Sequence, residues 1–258
     1  MKKRVAMLGG LVLVVGIAGA GVTIFNGIAE ERLSAERLST PVTGHLEYSY
    51  IQVHMAMPVQ LTVWSPTEEQ AQTACKAAFR RIRELVEIFS DYDRDSELSR
   101  FCQRAGSGEV RVSEDLFAVL MRAQNLALQT DGAFDPTAGA AARLWREARA
   151  KRCLPETAEI VIAKNAIGFE KLKLNSARHS AELDSSGSRL DLGGIAKGYI
   201  GDQAILVLSQ HGITAARYRA GGDIVLSGPP PDRAGWTVDL PQIVDQRLSN
   251  CGVSVSGD

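Results

Sequence analysis

The 258-residue sequence predicts an α+β (mixed α/β) domain, and three stretches carry that expectation. Across residues 53–64, Val59, Leu61 and Val63 alternate with Gln60 and Thr62, the period of a half-buried strand. Residues 71–89 change to three-and-four spacing through Ala71, Ala74, Cys75, Ala78, Phe79, Ile82, Leu85, Val86 and Phe89, the stripe of an amphipathic helix. The run Leu190-Asp-Leu-Gly-Gly-Ile-Ala-Lys-Gly-Tyr199 then reads as a strand end, a tight glycine turn and a helix start continued by Ile205, Leu206 and Leu208. Strands and helices interleave elsewhere without a regular βαβ repeat, so periodicity leaves α+β and α/β both open.

The elements follow in order. Met1-Lys-Lys-Arg4 precedes an apolar stretch over residues 5–25, with Glu30 and Glu31 beyond it, the charge order of an export signal that leaves the N-terminus in the cytoplasm. Ala18-Gly-Ala20 resembles a cleavage site, while about twenty apolar residues suffice to span a bilayer. The expectation is an anchor over residues 1–29, placing the protein outside the cytoplasm, membrane-anchored or periplasmic. Residues 30–50 are polar and interrupted by Pro41 and Gly44, as a linker would be, and the domain is expected over 51–258.

Ser65 is the expected N-cap of the first long helix, with Pro66 at its first position and Glu68 closing a capping box. Arg80, Arg81, Arg83 and Glu84 fall on its wet side. A polar segment, residues 90–96, precedes a second helix capped by Ser113, with Leu116, Phe117, Leu120, Ala123, Ala127 and Leu128 facing inward. In Thr130-Asp-Gly-Ala-Phe-Asp-Pro-Thr137, Pro136 drives Asp135 toward extended geometry and Gly132 supplies a turn, so one loop shape is expected. Asp135 could serve there as a helix cap. Leu144, Trp145 and residues 146–152 continue as a helix packed through the tryptophan and ended by Pro155. Residues 158–166 read as a helix, Gly168 as a turn, and residues 172–174, 180–183, 216–218, 236–240 and 253–255 as short strands.

Composition narrows the function. A chain with 45% hydrophobic residues can bury one sizeable core, and a formal net charge of -1 gives no electrostatic footprint for nucleic acid. Cys75, Cys102, Cys153 and Cys251 lack CxxC spacing and make no zinc site, and Cys75 on the apolar stripe reads as a buried thiol. His45, His54, His179 and His211 show neither ligand nor triad spacing. The informative chemistry is at Gly193 to Lys197. A glycine pair admits close approach to the backbone, while helix-start amides and the Lys197 ammonium favour an anion, so a phosphate-bearing ligand fits. The spacing is neither the dinucleotide GxGxxG nor a Walker loop. A solvated turn with a surface lysine fits the same residues.

That segment also resembles the signature of the FAD:protein FMN transferase (ApbE) family. Met55-Ala-Met, Phe89-Ser-Asp-Tyr92 with Ser96-Glu-Leu-Ser-Arg-Phe101, Thr130-Asp-Gly-Ala-Phe-Asp-Pro-Thr137, Ala220-Gly-Gly-Asp-Ile224 and Ser256-Gly-Asp258 resemble further family motifs in the same order. The resemblance implies mixed sheets with flanking helices, and a metal-dependent enzyme, usually with Mg2+, that cleaves FAD, releases AMP and attaches FMN to a Thr or Ser of an exported flavoprotein. It implies FAD contacts at Met55, Tyr92, Ala133, Phe134, Asp135, Asp191 and Lys197, and a metal ligand in the Gly194 carbonyl. No catalytic residue is assigned. The sequence departs from the family in having Met-Ala-Met for Met-Gly-Thr and Val255 for a threonine. The family's other metal ligands and a histidine-bearing strand follow the Ser-Gly-Asp motif, so a domain truncated at its C-terminus is expected. An FAD-binding protein without transferase activity is the alternative.

Overall fold

A computed structural model describes residues 44–238 and 247–254, with the backbone of three short strands before them, β1 (Met7–Leu8), β2 (Leu11–Val12) and β3 (Glu36–Arg37). Apart from β1 and β2, the expected anchor, most of the linker and Ser256-Gly-Asp258 lie outside the described residues. The chain divides into residues 1–33, where β1 pairs with β2, and residues 34–258, which hold everything below.

The larger unit continues with β4 (Leu46–His54), β5 (Met57–Ser65), α1 (Glu68–Phe89), α2 (Glu97–Gln103), β6 (Val110–Arg111), α3 (Glu114–Gln129), α4 (Gly139–Lys151) and α5 (Thr157–Asn165). Next come β7 (Leu172–Asn175), β8 (Ser180–Leu183), α6 (Gly193–Gln210), β9 (Ala216–Ala220), β10 (Asp223–Leu226), β11 (Trp236–Thr237), β12 (Arg247–Leu248) and β13 (Cys251–Ser254). A six-stranded antiparallel sheet runs β13-β10-β9-β5-β4-β3, and a smaller one runs β6-β8-β7. The mixed α/β class with helices flanking sheets is as expected, while the strand pairs of both sheets are antiparallel where the resemblance implied mixed sheets.

Register explains the core. Tyr50 lies opposite Leu61 and Leu61 opposite Tyr218, and these fully buried residues line up with Val59, Val63 and Ala216 on the face that α1 and α6 cover. Gly201 lets α6 lie close to the sheet, since a Cβ there would stand 2.6 Å from Val225 Cγ2 and 2.7 Å from Tyr218 Cδ1. The other face buries Trp64 and Leu226 with Trp236 and Val238. Cys75 is buried in α1, and burial pushes its thiol well above the ordinary range.

Several expectations are corrected. The strand expected over 53–64 is two strands joined at Met55 and Ala56, whose φ of 52° and 57° match the two-residue type I′ hairpin turn. β4 starts at Leu46, inside the segment expected to be linker, and buries Tyr48 and Tyr50. The cap of α1 is Thr67, which accepts from Gln70 N at 3.2 Å; Ser65 is still in β5 and donates to the Thr67 carbonyl. Ser113 does cap α3, and Ser96 caps the unforeseen α2. Trp145 is 51% exposed, so α4 is seated instead by its buried first residue, Gly139. Of the strand expected over 236–240, β11 covers Trp236–Thr237, and residues 239–240 lie outside the described ones.

Candidate functional site

The glycine turn at the start of α6 is held against the 130–137 loop by main-chain bonds. Asp191 N donates to the Pro136 carbonyl at 2.8 Å, and Ala138 and Arg189 form a parallel bridge. Gly139 makes this possible: a Cβ there would stand 2.6 Å from Leu190 C and 2.7 Å from the Arg189 carbonyl oxygen. Only glycine lets α4 begin against that bridge, which is isolated where the sequence reading expected a strand end.

The loop is internally fastened. Phe134 N donates to Thr130 Oγ1 at 3.1 Å. Asp135 Oδ1 accepts from Thr137 N at 2.8 Å and from Thr137 Oγ1 at 2.6 Å, while Gly168 N donates to Thr137 Oγ1 at 2.8 Å. Asp135 thus shapes its own loop; the N-cap of α4 is Ala138, without a side-chain bond. Asp191 Oδ1 accepts from Gly193 N at 2.9 Å, and Ile195 N and Ala196 N both donate to the Leu192 carbonyl. Gly193 and Gly194 are exposed, and a Cβ on Gly194 would stand 3.3 Å from Phe134 Cε2, so the phenyl ring edges the turn. The structure therefore brings Phe134, Asp135, Asp191 and Gly194 into one wall, with Ala133 exposed on its loop.

One turn into α6, Lys197 Nζ lies 2.6 Å from Asp223 Oδ2. Asp223 follows a hairpin turn in which Gly221 takes φ 60°, and Ser254 Oγ donates to its other oxygen. Burial pushes the Asp223 carboxyl up, but hydrogen bonds from Lys197 and Ser254 outweigh it and hold the group below the usual aspartate range. Met55 is half-buried in the β4–β5 turn. Its neighbour Met57 has its sulfur 3.5 Å from where a Gly221 Cβ would stand, so both hairpin turns occupy one end of the sheet. Tyr92 belongs to another group: it is 80% exposed, and its ring lies 4.5 Å from the Arg146 guanidinium, which pairs with Asp91.

Reading the sequence missed the Asp223 partnership, although its Gly-Gly-Asp motif was visible as a turn. It also missed what anchors α6. Tyr199 OH donates to Asp115 Oδ1 at 2.8 Å, and Arg81 bonds both Asp115 and Gln203, tying α1, α3 and α6 together. Burial, then the Asp115 bond, pushes the Tyr199 hydroxyl up to about 12.

Among the described residues no three His, Cys, Asp or Glu side chains gather to hold a metal. Gly194 sits in the first turn of α6, where a carbonyl points along the helix axis toward the amide one turn on. One shared carbonyl does not make a magnesium shell, so the described residues do not fit the ion by themselves. Cavities of about 460, 630 and 480 Å³ lie beside β6 and β8, along the second half of α6, and between α4 and α5; none of the three is lined by the wall.

Comparison with known proteins agrees with this architecture. The ApbE family profile matches residues 55–258. A FAD:protein FMN transferase of Treponema pallidum is 30% identical over 70% of this chain and 52% of its own length, and that of Haemophilus influenzae is 32% identical over 69% and 55%. The crystal structure of an ApbE protein from Thermotoga maritima superposes with a TM-score of 0.71 at 26% identity, over 82% of this chain and 71% of that one. Matches to the curated relatives span between 52% and 66% of those proteins' lengths. A profile match over most of the residues, on a fold shared at this level, means that the chain belongs to the ApbE family.

Proposed function

We propose that the protein binds FAD against the wall formed by the 130–137 loop and the start of α6, and transfers FMN to a Thr or Ser hydroxyl of an exported flavoprotein. The acceptor oxygen attacks the phosphorus on the flavin side, the P–O bond to the adenylate breaks, AMP leaves with the bridging oxygen, and the hydroxyl proton passes to solvent. Lys197 and the N-terminal dipole of α6 offset the pyrophosphate charge. Met55, Tyr92, Ala133, Phe134, Asp135 and Asp191 are the proposed FAD contacts. Magnesium belongs to the same proposal with the Gly194 carbonyl as the one ligand named; because the described residues do not complete its shell, no step is drawn through it.

The observation that carries the reading is the joining of loop and turn by the Asp191 N to Pro136 O bond and by the Phe134 ring edge beside Gly194. The names of the curated relatives support the chemistry. Export and a membrane anchor rest on the charge order of residues 1–31. No helix among the described residues is long and apolar enough to cross a membrane.

Lys197→Ala should weaken FAD binding about tenfold, the loss expected for one charge-assisted contact, as followed by flavin fluorescence at equilibrium. Unchanged affinity would remove Lys197 from the site. A second reading is FAD binding without transfer; among the described residues no three His, Cys, Asp or Glu side chains gather to hold a metal. AMP release in the presence of FAD, magnesium and a Thr-bearing acceptor separates the two.

A further inference from the structure

The Lys197–Asp223 pair bears on how the site takes up an anion. The two side chains meet at 2.6 Å, with side-chain exposures of 35% for Lys197 and 17% for Asp223. Asp223 is the less free of the two. It is the first residue of β10, paired on one side with Ala220 of β9 and on the other with Ser254 of β13, whose hydroxyl occupies its second oxygen. Lys197 carries its ammonium on four methylenes and can swing; Asp223 is fixed at its backbone and at its carboxylate. A phosphate arriving at the start of α6 therefore meets a lysine already neutralised, near the second carboxylate of Asp191, which is itself turned onto Gly193 N.

We propose that Asp223 is a positioning residue that latches Lys197, so that an anion captures the ammonium only by drawing it from, or sharing it with, this carboxylate. The inference rests on the reading of the α6 start as an anion site. Asp223 touches no substrate in this account. It acts through Lys197 by fixing where the ammonium waits and by lowering affinity for phosphate groups, since bound phosphate and Asp223 stand near one another as like charges. Such a latch disfavours anions that offer little beyond charge and leaves selection to the rest of the ligand.

The test titrates the full 258-residue chain at low salt with inorganic pyrophosphate and, separately, with FAD. Asp223→Asn keeps the shape and the Ser254 contact but removes the charge, and should bind pyrophosphate about tenfold more tightly. Asp223→Glu, which restores the carboxylate, should return affinity toward wild type. The gain should vanish when Lys197→Ala is added, because the effect runs through the ammonium. Unchanged or weaker binding by Asp223→Asn overturns the latch, as does a gain that persists without Lys197. Should Asp223→Asn not fold, Asp223→Ser is read by the same criteria. A wild-type chain that binds pyrophosphate but not FAD removes the flavin reading and leaves the latch standing.

Discussion

Two regions proposed above to contact one ligand are built in opposite ways. The wall at Asp191 is joined through main chain: an amide to the Pro136 carbonyl, a bridge from Ala138 to Arg189, and a helix start that touches Leu190 because Gly139 has no side chain. The Tyr92 segment is joined through side chains, by Arg146 over its ring and Arg146 paired with Asp91, while Trp145 and Leu154 nearby in sequence stand exposed. Main-chain joints have few alternative states, whereas an exposed ring changes rotamer at little cost. A fixed wall suits the charged pyrophosphate at the middle of a dinucleotide, where hydrogen-bond geometry matters. A loosely held aromatic suits a flat ring, which tolerates sliding.

The largest effect is expected where the fixed wall is tightest. In Gly139→Ala the added methyl meets backbone atoms at 2.6 to 2.7 Å, so either α4 or residues 189–191 must shift. Overpacking of this kind should destabilise the domain by about 3 kcal/mol and weaken FAD binding as Asp191 moves; urea denaturation and an FAD titration check both. If the variant unfolds like wild type, clearance at Gly139 is not what fixes the wall. Thr137→Val comes next. It keeps the fully buried shape, but removes the acceptor of Gly168 N and one donor to Asp135. A loss of about 2 kcal/mol is expected from an amide left without its partner, with most of it recovered in Thr137→Ser.

How much of this was legible depends on how far apart the interacting residues are. β5, α1, α3, β7, β8 and α6 show their period or their caps locally, so the sequence displayed them. β4 did not, because its inward residues Tyr48 and Tyr50 do not read as an apolar alternation and its turn uses Met55 and Ala56. Neither residue signals positive φ, which glycine or asparagine normally supplies. At seven residues, α2 is too short for a 3.6-residue period to stand out. Trp145 was assigned to the core by type, yet on α4 it faces outward. At the site, the glycine turn and the 130–137 loop were visible as motifs, and resemblance alone linked them. The bonds that do so join residues about fifty apart, and Tyr199 reaches Asp115 across 84 positions. No local pattern carries that information. Lys197 and Asp223 also meet across elements, so from sequence the lysine was read as an anion contact or a solvated side chain, without its carboxylate partner.

Tyr92→Ala should give the smallest change in stability and is the sharpest test of the contrast. With 80% of the residue exposed and one cation–π contact to lose, the domain should lose no more than about 0.5 kcal/mol. Thermal melting of the variant and of wild type would then nearly coincide. FAD affinity should fall roughly fivefold, because a stacked aromatic pair contributes about 1 kcal/mol beyond its area. Tyr92→Phe keeps the ring and should bind almost as wild type does. A large drop in melting temperature would make Tyr92 part of the scaffold, removing the difference between the two regions. Unchanged melting and unchanged affinity would leave the fixed wall as the whole of the binding surface, with the 90–96 segment only joining α1 to α2.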